Sequence, residues 1–162
     1  MTAEYIVNEL TEKFLDGITA IDEKADIVTV TVDHEIIHDV IGFLFRESGF
    51  GFLTDLTGIH YPDQVLPFGV VYHLHNFYEN IRIRVKTFLP ADEVFVPTVT
   101  DLFAGANWME RETFDFYGII FKGHPNMKRI LNVEDMDYFP LRKEYPLEDQ
   151  TRQDKDDRFF GR

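Results

Sequence analysis

The sequence predicts an α+β fold in two layers, with helices packed on a mixed, mainly antiparallel sheet and an extended, irregular C-terminal arm. Three observations carry that expectation. Apolar residues recur at helical spacing in two N-terminal segments, the run from Asn80 to Leu89 alternates apolar with mostly basic side chains, and glycine and proline punctuate the chain beyond Gly118.

The first element is an amphipathic helix over Ala3 to Phe14, on which Tyr5, Ile6, Leu10 and Phe14 fall near one face and after which Gly17 offers a stop. Asp26 to Val32 is β-branched and reads as a strand. Asp33 then caps a second helix carrying Ile36, Ile37, Val40, Ile41, Leu44 and Phe45, which Gly49 closes. Three strands follow, at Phe50–Tyr61, Phe68–Phe77 and Asn80–Leu89, with a turn around Tyr78 and Glu79 between the last two. In the third, Ile81, Ile83, Val85, Thr87 and Leu89 share one face, and Arg82, Arg84, Lys86 and Phe88 the other. Thr98 and Asp101 form a capping pattern for a helix start, and a further helix is expected from about Asn107 to Gly118. Residues 1–147 read as a single domain and residues 148–162 as a polar tail.

Composition narrows the chemistry. With 162 residues, 44% apolar, and 16 Phe and 7 Tyr among them, the chain can bury a core without covalent staples. It has no cysteine, which excludes disulfides, thiolate-held clusters and a cysteine nucleophile. A net charge of −13 argues against general nucleic-acid binding. That charge is uneven: residues 1–80 hold 14 Asp/Glu against 3 Lys/Arg, and residues 81–162 hold 15 against 13. Met1-Thr2-Ala3-Glu4 starts no basic-then-apolar leader, and no apolar run approaches the ~20 residues that span a bilayer, so a soluble, cytosolic chain is expected.

Each candidate catalytic group has a plainer role available. The single serine, Ser48, lies outside any Gly-x-Ser-x-Gly turn, and Thr2 as an N-terminal nucleophile has no oxyanion site beside it. Gly49-Phe50-Gly51 leads from a helix into a strand, the reverse of a dinucleotide loop. His73 and His75 share a strand face and would need His60 to approach a metal shell, but no clustered carboxylates complete it. Glu110, Arg111, Glu112 and Asp115 look like an acid/base cluster at first sight, with Glu112 and Asp115 three apart on a helix. The interleaved arginine favours pairing, docking or ordinary solvation instead. Trp108, Tyr117 and Tyr138 are first of all core candidates in a Phe-rich chain.

Several ordered blocks resemble a known family. They are Glu110-Arg111-Glu112, Asp115-Phe116-Tyr117-Gly118-Ile119, His124-Pro125, Lys128-Arg129-Ile130-Leu131 and Pro140-Leu141-Arg142-Lys143-Glu144-Tyr145-Pro146-Leu147. Upstream stand Leu53-Thr54-Asp55-Leu56-Thr57, Val71-Tyr72-His73-Leu74, Ile83-Arg84-Val85-Lys86 and Val99-Thr100-Asp101-Leu102. From about Leu53 onward the chain resembles the 30 kDa subunit, or C-type subunit, of the proton-pumping NADH:quinone oxidoreductase, respiratory complex I.

That resemblance implies a peripheral-arm subunit holding no cofactor, with FMN, iron–sulfur clusters, NADH and quinone in partner subunits. It implies packing against a large, D-type quinone-site subunit and a B-type terminal-cluster subunit, on the cytoplasmic side of the bacterial inner membrane. No residue is assigned to catalysis, cofactor or metal. Glu110, Arg111, Glu112, Asp115, His124, Lys128, Arg129, Arg142 and Lys143 match the family's motif and are expected to shape the fold and docking surface. The tail is expected to wrap a partner, with Phe159 and Phe160 as anchors. The competing expectations are the equivalent subunit of a related membrane-bound hydrogenase or ferredoxin-dependent complex, and a stand-alone metal enzyme using His60, His73 and His75.

Overall fold

The computed structural model describes residues 2–24 and 27–145; the tail beyond Tyr145 lies outside the described residues. Five strands form one sheet in the order β1-β2-β5-β4-β3: β1 (Ile18–Lys24), β2 (Ile27–Val32), β3 (Phe52–His60), β4 (Phe68–Asn76) and β5 (Ile81–Leu89). β2 runs parallel to β5, and every other neighbouring pair is antiparallel. Helices α1 (Ala3–Phe14), α2 (Ile37–Arg46) and α3 (Ala106–Tyr117) complete the second layer, and β6 (Phe95–Pro97) pairs in parallel with β7 (Ile120–Lys122).

Strand register explains why all helices share one side. Val70, Tyr72 and Leu74 of β4 pair with Thr87, Val85 and Ile83 of β5, and Val85 pairs with Val30 of β2, so one continuous face is apolar and buried. Ile6 and Leu10 of α1 and Ile37, Val40, Ile41 and Leu44 of α2 join that core. Each such side chain contributes roughly 1.5–3 kcal/mol on burial. The helix α3 lies against β3 at Gly58, where a Cβ would come within 2.6 Å of the Tyr117 ring and 3.0 Å of Thr113.

Local signals account for most element ends. Thr2 caps α1 by accepting from the Tyr5 amide at 3.3 Å. After α2 the chain folds back so that the Phe50 amide donates to the Leu44 carbonyl. The β4–β5 turn is tied by the Asn76 side-chain carbonyl, which accepts from the amides of Tyr78 and Glu79.

Some expectations need correction. Ile18–Lys24, to which no element was assigned, is an edge strand; its pattern hides it because Ile21 stays exposed. Asp33 does not cap α2: it accepts from the Glu35 amide, and the helix begins four residues later at Ile37. No helix starts at Thr98: its hydroxyl oxygen accepts from the Thr100 amide and the Leu102 and Phe103 amides return to the Val99 carbonyl, so the segment closes as a turn and α3 begins only at Ala106. The histidine triad does not assemble. His73 and His75 do share a face, but register places His60 on the opposite one, with Phe68 stacked on its ring at 4.5 Å. Among the described residues no group of three or more His, Cys, Asp or Glu is placed to hold a metal ion.

Candidate functional site

Helix α3 and the irregular arm that follows it form the densest polar construction in the described chain. On the inner stripe of α3, Ala106, Glu110 and Thr113 recur at helical spacing and are buried. Glu110 is wholly enclosed, and its carboxyl accepts from the Thr98 hydroxyl at 2.6 Å and the Val99 amide at 2.8 Å. Removal from water pushes its pKa up to about 7, against the pull of those two donors.

Asp115 is also wholly enclosed, but faces the arm. Its carboxylate accepts from the amides of Ile130, Leu131 and Asn132, from the Asn132 side chain and from Arg129 Nη1 at 2.8 Å. Burial by itself would raise its pKa; the amides of Asn132 and Leu131, then Arg129 and the Asn132 side chain, outweigh it and hold the carboxyl well below the usual range. The remaining donors of Arg129 reach the carbonyls of Asp115, Met136 and Tyr138. One guanidinium thus fixes three separate points of backbone.

The other motif residues extend this clamp. Arg111 donates to the carbonyls of Lys128 and Arg129 and lies over the Trp108 ring at 5.1 Å. His124 Nδ1 accepts from the Asn126 amide, so its Nε2 carries the proton donated to the Asn107 carbonyl at 3.1 Å. Arg142 donates to the Tyr117 carbonyl and stacks between Phe68 and Phe139 at 4.7 and 4.6 Å. The Lys143 amide donates to His60 Nδ1. That bond gives His60 a role in anchoring the arm.

Gly118 makes the close approach possible. It ends α3 in the left-handed region at φ +74°, and a Cβ there would sit 2.6 Å from both Arg142 and Phe139.

The acid/base cluster suggested by spacing does not exist as a unit. Glu110 faces the 98–99 turn, Asp115 faces the arm, and Glu112 is exposed. The residues that reasoning from sequence missed are Asn132 and Phe139, each a partner to a motif residue, and Thr98, read as a helix cap, turns out to serve Glu110. Outside the clamp, the same region exposes Trp108 (63%), Leu131 (63%), Val133, Tyr138, Leu141 and Tyr145. A cleft of about 270 Å³ beside Phe114 is lined by Lys128, Arg129 and Glu134. The arrangement positions backbone and presents apolar surface; its arginines and enclosed acids are occupied with one another and with main chain.

The family model described as "Respiratory-chain NADH dehydrogenase, 30 Kd subunit" matches residues 30–151. The chain belongs to that family. Among relatives of the 30 kDa subunit, it is 41% identical over 147 residues to the C-type subunit of the NADH-quinone oxidoreductase of Citrifermentans bemidjiense, covering 91% of each chain. It is 38% identical to the corresponding NADH-quinone oxidoreductase subunit of Ruegeria pomeroyi, covering 86% of this chain and 70% of that one.

Two solved structures share the 30 kDa subunit fold. The trypsin-resistant fragment (1–134) of Nqo5 superposes with a TM-score of 0.69 at 31% identity, over 78% of this chain and 99% of that one. A chain of the membrane-bound sulfane sulfur reductase, an archaeal respiratory membrane complex, superposes with a TM-score of 0.75 at 27% identity, over 89% and 85%. Among the described residues no helix is long and apolar enough to cross a membrane.

Proposed function

We propose that this chain is a non-catalytic, cofactor-free subunit of the peripheral arm of an NADH:quinone oxidoreductase. It scaffolds the large, D-type quinone-site subunit and the neighbouring B-type terminal-cluster subunit. FMN, the iron–sulfur clusters, NADH and quinone belong to partner chains, and the complex sits on the cytoplasmic side of a bacterial inner membrane, passing electrons from NADH to quinone with ion translocation.

The observation that carries this reading is the α3–arm clamp with its apolar exterior. A segment without regular secondary structure is fixed by Asp115, Arg129 and Arg142, while Trp108, Leu131 and Val133 remain exposed beside it. An aromatic beside an arginine is the composition of interface cores, and rigid presentation lowers the entropy cost of binding. The exposed Glu112, Lys128 and Lys143 give that surface a polar rim.

The test is native purification through a tag on this chain, with mass identification of co-eluting subunits. Trp108→Asp should lose the large subunit while leaving the chain folded, and deletion of residues 150–162 should weaken assembly. A full subunit complement in both variants would defeat the proposal. The likeness to the sulfane sulfur reductase favours a second reading, the equivalent subunit of a related membrane complex. The same purification separates the two: a co-eluting NADH-binding flavoprotein marks the oxidoreductase, and its replacement by another donor module marks the relative.

A further inference from the structure

The sheet has one face covered by helices and one open face. On the open side β5 carries Arg82 and Arg84, and β4 carries His73 and His75 beside them. We propose that this open face docks an acidic segment of a neighbouring protein, its carboxylates on Arg82 and Arg84 and an apolar side chain against Phe52 and Phe77.

Charge is the first argument. The chain has 29 Asp and Glu against 16 Lys and Arg, yet among the described residues neither Arg82 nor Arg84 has a carboxylate within ion-pair distance. Arg84 is half-buried and, among the described residues, donates to neutral acceptors: His73 Nε2 at 2.7 Å and the Thr29 hydroxyl at 3.4 Å. Burial, and then the Arg84 cation itself, push the His73 pKa down, which suits the ring to accepting that bond. Asp22 and Asp55 stand at the two ends of the cross-strand row that carries Arg84, each two strands away from it, and Asp55 lies 3.7 Å from the far nitrogen of His73. A chain rich in carboxylates thus leaves two guanidinium groups on one surface for an external anion, and guanidinium matches a carboxylate with two parallel bonds.

The aromatic edge is the second. Phe52 and Phe77 lie 5.1 Å apart between ring centres and remain 45% and 61% exposed, with the His75 ring 4.4 Å from Phe77. Arginine beside an exposed aromatic pair is the pattern of a protein interface. A bilayer of anionic lipid fits less well, because it would face the repulsion of the whole chain at −13, whereas a docked segment meets the patch alone. This surface lies across the sheet from α3 and the arm, so the inference stands apart from the function proposed above.

The test uses the complex isolated through a tag on this chain, washed through a salt series. Arg82→Glu, and Arg82→Glu with Arg84→Glu, should release one subunit that the native chain retains, corresponding to roughly tenfold or more weaker binding. The partners lost on Trp108→Asp should stay. Because Arg84 touches His73 and Thr29, the single Arg82→Glu variant and a thermal melt of each full chain separate lost docking from lost folding. Identical retention of every subunit by native and Arg82→Glu complexes would overturn the proposal. Sedimentation of the native chain, but not the double variant, with phosphatidylglycerol vesicles would overturn it in favour of a lipid surface.

Discussion

Glu110 and Asp115, five positions apart on one helix and both wholly enclosed, are driven in opposite directions by their surroundings: burial wins at Glu110, and hydrogen bonding wins at Asp115. The difference follows from donor count. Two donors serve the first carboxyl, whereas three amides, a side-chain amide and a guanidinium serve the second. Their effects on stability therefore fall in separate pH windows.

For Glu110 the folded value, about 7, lies above the ordinary 4.5, so the folded state holds the proton more tightly. Its contribution is complete below 4.5 and is lost as pH rises to about 7, a decline of about 3 kcal/mol. Glu110→Gln keeps the shape and cannot ionise. The difference in melting temperature between variant and native chain should shift toward the variant across that interval and level off above it. A difference that stays constant with pH would sink the assignment.

Asp115 behaves oppositely. Its folded pKa is depressed, so its contribution is complete above the ordinary 3.8 and is lost as pH falls below it. Asp115→Ala strands Arg129 and three amides, and should cost about 3–5 kcal/mol in denaturant unfolding near neutral pH. The gap to the native chain should narrow in acid.

Arg129→Lys retains the charge but not the fork. A single ammonium cannot serve Asp115, Met136 and Tyr138 together, so a loss of about 2 kcal/mol is expected. Hydrogen exchange should quicken at the amides of Ile130 to Asn132, while sheet amides keep their protection. Equal exchange throughout would show that the arm is held by something else.

Gly118→Ala meets both a left-handed backbone and two side chains at 2.6 Å. About 1–2 kcal/mol is expected from the backbone alone. Displacement of Phe139 and Arg142 should also make the arm cleave faster under limited proteolysis. Retained resistance would contradict the close approach.

Elements with a clean period were legible. β5 alternates over nine residues because one side is buried and the other is not, and α2 repeats its apolar stripe under the sheet. β1 was hidden because an edge strand with an exposed Ile21 carries no burial pattern, and β6 and β7, at three residues each, are too short for one. At the site, Glu110 read as a pairing, docking or solvated charge, although its spacing from Ala106 and Thr113 places it on the inner stripe of α3. Among the partners of Asp115, Arg129 stood in a motif block, but Asn132 was not legible, since it lies where backbone is ordered by polar bonds and no hydrophobic period exists to follow.

The parallel pairing of β2 with β5 also orders events in time. Val30 meets Val85 only after α2, β3 and β4 have been synthesised, so the hairpin of β1 and β2 emerges from the ribosome long before its inner neighbour. The β3–β4–β5 ladders join consecutive strands and close short loops, whereas the capture of β2 closes a long one. A nascent or truncated chain that stops short of β5 carries a bare β2 edge, open to any extended peptide it meets.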